Sequence, residues 1–317
     1  MSTLYFLVQQ TMYFMIPLLI VALGGMYSER SGVVNVALEG IMTFGAFCSI
    51  LFISMFQNTL SGQVLLLLAI LIAAVAGMVF SLLHAYASIN MKADQVISGT
   101  ALNMFAPAFA IFFARQIFGV QQIGFNNTFR ITEVPILSKI PVIGPMFFEN
   151  TYITTYIGFG ILIVATIVLY KTRFGLRLRA CGEHPQAADS LGVNVYRVRY
   201  AGVLISGILG GIGGLVFVIP TSTNFNATVA GYGFLALAVL IFGQWNPIRI
   251  LYASLFFGFM KALAASYSGI AILSNLNIPN NIYKMVPYIA TLIVLAFTSK
   301  RSQAPRAAGV PYDKGAR

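Results

Sequence analysis

Two polar residues, Asn35 and Glu39, stand four positions apart in a stretch that is otherwise apolar. On a helix this spacing places both side chains on one face. An ionisable group in apolar surroundings normally faces a bundle interior or a cavity, so the pair predicts a polar pathway through the protein. The alternative is that Glu39 lies at the membrane–water boundary, where it caps a helix or extends toward solvent.

Three further polar side chains lie in apolar stretches farther along the chain. Ser98 and Asn103 fall in the first turns of one stretch, where they either hydrogen-bond to neighbouring helices or line a polar cavity. Lys261 falls well inside another stretch and either extends to the membrane surface or faces a wet cavity, of which we favour the cavity. The predicted substrate pathway therefore consists of these three residues together with Asn35 and Glu39.

The sequence contains no pattern typical of catalysis or metal binding. It has no G-x-x-x-x-G-K-[ST] phosphate loop, no H-E-x-x-H and no G-x-S-x-G. Cys48 and Cys181 imply neither a disulfide framework nor a metal site, and His84 and His184 are isolated. An ion-coupled carrier normally keeps several ionisable groups at mid-membrane, and this chain has very few. We therefore expect no catalytic site, no cofactor and no metal, but a conduit whose energy comes from another chain.

The composition is that of a protein embedded in a bilayer. Of its 317 residues, 58% are hydrophobic and only 9% are charged, whereas soluble domains carry about a quarter charged residues. The apolar runs are continuous rather than alternating, which indicates helices and not a barrel. The sequence predicts an all-α integral membrane protein, a polytopic helical bundle of about 8–10 transmembrane segments.

The apolar runs give about nine crossings with an outside N-terminus. The predicted spans are 4–26, 33–56, 64–87, 96–118, 152–170, 200–218, 231–243, 248–267 and 285–298. A break near Gly32–Gly40, or a dip of the packed loop 119–150 into the membrane, would change the parity, so the first half stays open. In the sixth span, the pairs Gly207/Gly211 and Gly210/Gly214 have the spacing that lets two helices approach closely.

The net charge of +11 reflects topology rather than nucleic-acid binding. Positive residues concentrate in the segment 171–199 and in the tail 300–317, while the loop 119–150 is balanced. Because basic loops remain cytoplasmic, the segment and the tail are predicted inside and the loop outside. The domains are accordingly a membrane domain over 1–299 and a basic cytoplasmic tail over 300–317.

The polar segment 172–199 contains a predicted short helix. Pro185 suits its first position, and Gly192 suits a left-handed cap after its end. Ala187, Ala188 and Leu191 are expected on one face, which a soluble partner would contact. The segment is flanked by arginines, and the alternative is a solvated loop whose arginines only set the orientation of the protein.

Three separate motifs resemble those of one transporter family. The motif S-E-R-S-G-V-V-N-V-A-L-E-G at 28–40 is very similar to one in ABC importer permeases of the ribose/galactose type, in the nucleoside-transporting branch. The cytoplasmic coupling segment of that family resembles T-R-F-G at 172–175, G-E-H-P-Q-A-A at 182–188 and G-V-N-V at 192–195. Its later half resembles A-G-Y-G-F-L-A-L-A-V at 230–239 and F-G-Q-W-N-P at 242–247. His184 and Gln186 depart from the family pattern, which usually has asparagine and a basic residue there.

The resemblance implies a set of partners and a cargo. A cytoplasmic ATPase would dock on the coupling segment, through Gly182, Glu183, Pro185, Ala187, Ala188, Leu191 and Gly192. A second permease subunit, a related but different chain, would complete the pore, and an extracellular or lipid-anchored binding protein would deliver nucleosides. The location is then the cell membrane, with the C-terminus cytoplasmic. The alternatives are a permease for ribose or another simple sugar, and a membrane scaffold or enzyme without a recognisable catalytic site.

Overall fold

The chain forms a bundle of long helices with a few very short strands. A computed structural model describes residues 2–60, 62–135, 137–266 and 303–315, together with three single residues between 282 and 289. Its helices are α1 Ser2–Arg30, α2 Leu38–Phe56, α3 Gly62–Ile89, α4 Gln95–Phe118, α5 Ile143–Phe147, α6 Ile153–Lys171, α7 Arg173–Glu183, α8 Pro185–Ser190, α9 Val195–Thr221, α10 Tyr232–Phe242 and α11 Pro247–Ser266, and its strands are β1 Ile123–Gly124, β2 Arg130–Glu133, β3 Glu149–Tyr152 and β4 Asn224–Phe225.

Seven of these helices are long and apolar enough to cross a membrane: α1, α2, α3, α4, α6, α9 and α11. The expected polytopic helical bundle is therefore confirmed. The last predicted span, 285–298, lies outside the described residues.

Helix α9 occupies the centre of the bundle, where it packs against α1, α2 and α3. Its glycines allow these helices to approach until backbones touch. A Cβ on Gly211 would lie 2.1 Å from the Ala73 carbonyl oxygen of α3, and one on Gly214 would lie 2.0 Å from the Met42 carbonyl oxygen of α2. The predicted close packing at Gly207/Gly211 and Gly210/Gly214 is thus confirmed, because only a residue without a side chain fits at these contacts.

Both α1 and α9 are longer than the sequence predicts. Helix α1 continues beyond 26 to Arg30, and α9 begins at Val195 rather than at 200. The start of α9 is set by Asn194, whose side chain accepts a hydrogen bond from the Arg197 N–H at 3.0 Å and so caps the helix. Arg197 and Arg199 therefore belong to the helix and not to a flanking loop, and Arg199 is only 1% exposed.

The prediction that Asn35 and Glu39 share one helical face is wrong. Residues 31–37 are not helical, and α2 begins only at Leu38. We call residues 31–37 the break. Asn35 hydrogen-bonds to Ser206 near the middle of α9, so the break returns the chain from the end of α1 to mid-depth in the bundle. A broken second span, which the sequence left open, is what the structure shows.

Helix α10, predicted as a span over 231–243, is too short to cross a bilayer as a helix. It has 11 residues, about 16 Å at 1.5 Å per residue, against a hydrocarbon core of about 30 Å. It begins beside Glu39 at mid-depth and ends near Glu29 at the end of α1. The bundle thus contains two helices, α2 and α10, whose first residues meet inside it.

The loop 119–150 packs on one end of the bundle, as predicted; we call this the loop end. Strand β2 pairs antiparallel with β3, and β1 pairs antiparallel with β4. Gln9 of α1 donates a hydrogen bond to the Pro145 carbonyl at 2.7 Å, and Asn127 donates one to the Ile219 carbonyl of α9 at 2.7 Å. These bonds fix the loop over the ends of α1 and α9. The opposite end, which carries α7, α8 and residues 303–315, we call the tail end.

Candidate functional site

Glu39 joins the two helix starts at mid-depth. The Gly231 N–H donates to one of its carboxylate oxygens at 2.8 Å, and the Gly233 N–H donates to the other at 2.6 Å. The side chain of Glu39 therefore caps α10, whose own preceding residue, Gly231, offers no side chain to do so. A carboxylate at a helix N-terminus is also favoured by the helix dipole. Glu39 is therefore a helix cap inside the bundle and does not lie at the water boundary, and its role in a substrate pathway stays a prediction.

Polar side chains satisfy the non-helical backbone of the break. Asn103 accepts from the Gly40 N–H at 2.7 Å and donates to the Val36 carbonyl at 2.9 Å. His84 bonds the Val34 carbonyl at 2.9 Å and the Ser98 hydroxyl at 2.7 Å. Since irregular backbone inside a membrane protein must find partners within the protein, these contacts explain why polar residues stand in α3 and α4.

Asn35 stabilises the break through hydrogen bonds of its own side chain. It is fully buried, its side-chain amide donates to the Ser206 hydroxyl at 2.9 Å, and its side-chain oxygen accepts from the Ala37 N–H at 3.1 Å. Asn35, Ser98 and Asn103 thus lie at the break, where their side chains form hydrogen bonds within the protein and do not face lipid unpaired. Helix-to-helix hydrogen bonding, one of the two readings for Ser98 and Asn103, is what the structure shows.

Lys261 lines a cavity of about 590 Å³ between α1, α9, α10 and α11. Its ammonium lies 5.5 Å from the centre of the Tyr232 ring, and Tyr232 is the first residue of the helix that Glu39 caps. The cavity therefore reaches from the loop end of the bundle to the junction at mid-depth. Of the predicted pathway residues, Lys261 lines this cavity, and Glu39 binds the backbone on either side of Tyr232. Asn35, Ser98 and Asn103 lie at the neighbouring break.

The tail end of the bundle is held by contacts between the motifs singled out in the sequence. Trp245 is buried, and its indole N–H donates to the Glu29 carboxylate at 2.6 Å. Arg30 donates to the Trp245 carbonyl at 3.1 Å and lies 3.7 Å from the Glu183 carboxylate. The end of α1 is thereby tied both to the turn after α10 and to the end of α7.

Helix α8 confirms the short helix predicted in the polar segment. Pro185 is its first residue, and Gly192 has a φ of 82°, the left-handed conformation expected after its end. His184 precedes α8 without a side-chain capping bond, in line with a position where asparagine caps better. The segment also contains α7, which the sequence did not indicate and which is capped by the Thr172 hydroxyl.

The prediction that Ala187, Ala188 and Leu191 share one face is wrong. Ala188 is 4% exposed and packs inward, together with the buried Pro185, whereas Leu191 is 85% exposed and Ala187 is also exposed. Because α8 ends at Ser190, Leu191 lies just beyond it, and the six-residue helix turns Ala188 inward and Ala187 outward. An exposed leucine beside a groove of about 410 Å³ is left facing outward.

Gly182 and Cys181 lie where α7 meets the end of α1. A Cβ on Gly182 would come within 2.3 Å of the Arg30 carbonyl oxygen, so glycine is required for this contact. Cys181 is fully buried beside it, and burial raises the pKa of its thiol to about 11. The thiol is accordingly protonated and unreactive at neutral pH.

Residues 303–315, which we call the tail strap, cross the tail end of the bundle. Within them the Ala307 N–H donates to the Gly182 carbonyl at 2.8 Å, and the Gly309 N–H donates to the Gly32 carbonyl of the break at 3.2 Å. The buried Arg199 donates to the Val310 carbonyl at 3.0 Å. The strap therefore contacts α7, the break and α9 at once.

Glu29 and Trp245, which meet at this end, are absent from the predicted site residues. Glu29 could have been found from the sequence, because it is an acidic residue directly after a long apolar run. Its partner Trp245 gave no comparable signal, because only the fold brings it close. Among the residues that the structure describes, no group of His, Cys, Asp and Glu is placed to hold a metal ion.

Membrane-length helices, with two helix starts that meet at mid-depth, define a class of protein, the multi-pass transport protein with discontinuous helices. Within that class, the chain belongs to the family described as "Branched-chain amino acid transport system / permease component", which it matches over residues 7–295. The resemblance to ABC importer permeases found in the sequence motifs is thereby confirmed.

Three characterised or named relatives align with almost the whole chain. A nucleoside ABC transporter permease protein, NupC, of Lactococcus lactis is 45% identical over 99% of this chain and 98% of its own length. A guanosine ABC transporter permease protein, NupQ, of Bacillus subtilis is 45% identical over 98% of this chain and 97% of its own. A putative glucose ABC transporter permease protein, TsgC13, of Haloferax volcanii is 30% identical over 92% of this chain and 91% of its own.

Proposed function

We propose that this chain is the membrane permease of an ATP-driven importer of nucleosides. The evidence for nucleosides as the cargo is sequence identity. The chain is 45% identical, over nearly its full length, to permeases named for nucleoside and guanosine transport, and 30% identical to one named for glucose. The junction at Glu39 and the cavity lined by Lys261 support it, because they offer hydrogen-bonding groups at mid-depth, as a neutral polar cargo requires.

The chain forms one half of the pore in this proposal. Residues 1–299 are the permease domain and 300–317 its tail, in the cell membrane with the C-terminus cytoplasmic. A second, related permease chain completes the pore, and an extracellular or lipid-anchored protein delivers the cargo. The concentration of arginine at the tail end supports a cytoplasmic location for that end. Glu39 and Lys261 line the pathway, and Asn35, Ser98 and Asn103 support it.

A separate ATPase drives the pore through the segment from Gly182 to Gly192. The support is the placement of α8: its inner side rests on the bundle through Pro185 and Ala188, while Ala187 and Leu191 face outward. Behind it, Gly182 and Glu183 contact the end of α1. A movement of α8 would therefore be transmitted to α1 and, through α1, to the break.

A leucine substitution tests this docking role. Burying one leucine contributes about 1.5–3 kcal/mol, so Leu191→Ser should weaken binding of the ATPase subunit by about tenfold or more. Binding is measured by titrating the purified ATPase onto the detergent-solubilised permease pair. The matched control is Leu137→Ser, an exposed leucine at the loop end. Equal affinity of the Leu191→Ser variant and the wild type would contradict docking at α8.

A further inference from the structure

A groove at the tail end lies between α8, the start of α9 and the last described residues of the tail strap; we call it the α8 groove. Its volume is about 410 Å³, and the exposed Leu191 stands beside it. Its lining residues are Asp189, Ser190, Gly192, Val193, Asn194, Val195, Tyr196 and Lys314. Of these, Lys314 comes from the strap and all the others from the segment that joins α8 to α9. The groove therefore has two walls, which two distant parts of the chain supply.

Hydrogen bonds fix the wall that α8 and α9 form. In the turn after α8, the Gly192 N–H donates to the Asp189 carbonyl at 2.9 Å, and the Val193 N–H donates to the Ala188 carbonyl at 3.1 Å. The Asn194 side chain then caps α9. This wall is consequently preformed, and a partner that binds there has little backbone to order.

The strap wall is held against the same helix. Tyr312 is buried and packs edge to face on Tyr196, a lining residue of the groove, with ring centres 5.4 Å apart. The buried Arg199 donates to the Val310 carbonyl at 3.0 Å. These contacts place Lys314, two positions after Tyr312, at the edge of the groove. The end of the strap is thus part of the shape of the groove and not a loose tail beside it.

The charges of the groove suit a protein partner. The exposed Lys314 and the half-buried Asp189 carry opposite charges, and neither forms an ion pair with another residue that the structure describes. The nearby Asp313 is already paired with Lys92 at 2.7 Å. A polypeptide segment with charges of both signs can pair with both groups, whereas Asp189 would repel an anionic lipid headgroup. Leu191 adds an apolar contact next to these charges.

We propose that residues 310–315 of the strap form one wall of the docking site for the ATPase, and that a segment of the ATPase lies in the α8 groove between Leu191 and Lys314. The proposal rests on the proposed function and extends its docking site from α8 to the strap. It also gives the ATPase a second connection to the break, because the Gly309 N–H donates to the Gly32 carbonyl at 3.2 Å. A movement of the strap reaches the break without passing through α7 and α1.

Protection of residue 314 from chemical labelling tests the position of the ATPase. The assembled permease pair carrying Lys314→Cys is treated with a maleimide, with and without saturating purified ATPase, and mass spectrometry quantifies the label on the peptide that contains residue 314. Bound ATPase should slow the labelling by about tenfold or more, because a thiol must be accessible to react. The control is Leu137→Cys, at an exposed position of the loop end, whose labelling rate should not depend on the ATPase.

Release of the strap tests its contribution to binding. Tyr312→Ala removes the ring that packs on Tyr196, and it should weaken binding of the ATPase to the permease pair by about fivefold or more, the loss that marks an important interface residue. Tyr312→Phe keeps the ring and should bind as the wild type does. The affinities come from the same titration that tests Leu191→Ser.

The inference is overturned if residue 314 labels equally fast with and without the ATPase, if anionic phospholipid alone protects it, or if Tyr312→Ala binds the ATPase with wild-type affinity. Leu191→Ser separates this failure from that of the proposed function. If Leu191→Ser weakens binding while Tyr312→Ala does not, docking at α8 stands and only the role of the strap is lost. If neither variant weakens binding, docking at α8 is contradicted as well.

Discussion

Glu39 is the residue on which the middle of the bundle depends. Its carboxylate ties the start of α10 to the start of α2, and the same backbone position is packed so tightly that a Cβ on Gly233 would lie 2.3 Å from the Glu39 nitrogen. An ionisable residue within a membrane protein carries a cost that only such partners offset. The acidic side chain here serves to fix a helix end at mid-depth.

Replacing Glu39 should therefore loosen α10. Glu39→Leu removes both acceptors and should lower stability by about 2 kcal/mol, the upper range for loss of a helix cap. Glu39→Gln retains one acceptor oxygen and should cost about half as much. Thermal unfolding of the purified permease in detergent measures both. A Glu39→Leu variant that melts at the wild-type temperature would show that the cap contributes nothing.

Cys181 reports on the contact between α7 and α1. In a Cys48→Ser background it is the single cysteine. Because burial raises the pKa of its thiol to about 11, maleimide labelling at pH 7.5 should be at least tenfold slower than in the denatured chain. At pH values below that pKa, each unit of increase in pH should raise the labelling rate about tenfold, since only the thiolate reacts. Fast labelling at neutral pH would mean that α7 does not rest on α1.

The residue scale also shows what the sequence could reveal. Glu39, Asn103 and Lys261 were recognisable because polar groups in apolar runs need partners. Their actual partners, such as the N–H groups of Gly231 and Gly233, lie almost 200 positions away for Glu39 and follow only from the fold.

Some helices of this fold begin or end inside the bundle and not at its surface. The break and α10 both leave helix ends at mid-depth, where backbone groups must be satisfied by side chains from α3 and α4 or by Glu39. The length of the apolar runs predicted the long helices well, because runs of about 20 apolar residues admit one reading. It misplaced Asn35 on a helix, because the other six residues of the break are apolar or small and look the same in a helix and in an extended segment packed inside protein.

Composition alone described the residues of the tail strap only as part of a basic cytoplasmic tail. Tyr312 is buried, its ring lies 5.4 Å from that of Tyr196 and 5.9 Å from the Arg199 guanidinium. Tyr312→Ala should therefore release the strap, at a cost of about 1–2 kcal/mol from the lost ring contacts. Trypsin cleavage at the exposed Arg306 should become faster in this variant. The control is Tyr312→Phe, which keeps the ring and should be cleaved as slowly as the wild type. Unchanged cleavage of Tyr312→Ala would contradict a packed strap.

The exposed pair of Lys92 and Asp313 gives strap attachment a pH dependence. Their atoms lie 2.7 Å apart, and this hydrogen bond raises the pKa of Lys92 and lowers the pKa of Asp313. A lowered carboxyl pKa stabilises the contact above the ordinary value of about 4, and a raised lysine pKa stabilises it below about 10.4. Relative to a Tyr312→Ala reference at the same pH, cleavage at Arg306 should thus be slowest between these two values and faster below the lower and above the higher one. Asp313→Asn should remove the acid side of this dependence. Because the pair is solvated, the effect should be small and should fade at high salt.

At the scale of the whole molecule, we propose that the chain is one half of a transport complex. Its centre, α9, is held by contacts with α1, α2 and α3, while α4 and α6 expose apolar faces and α8 exposes Leu191. The path from α8 through Gly182 and Arg30 to the break offers a route by which a partner could move the junction at Glu39.

Transport by the isolated chain, compared with transport by the complex, tests this account most directly. The purified chain is reconstituted into vesicles alone, and in parallel with its partner permease, delivery protein and ATPase, and uptake of radiolabelled adenosine is followed with ATP on the ATPase side. The account predicts ATP-dependent accumulation by the complex, competed by guanosine but not by ribose, and none against a gradient by the chain alone. Uphill accumulation of adenosine by the single chain would contradict it.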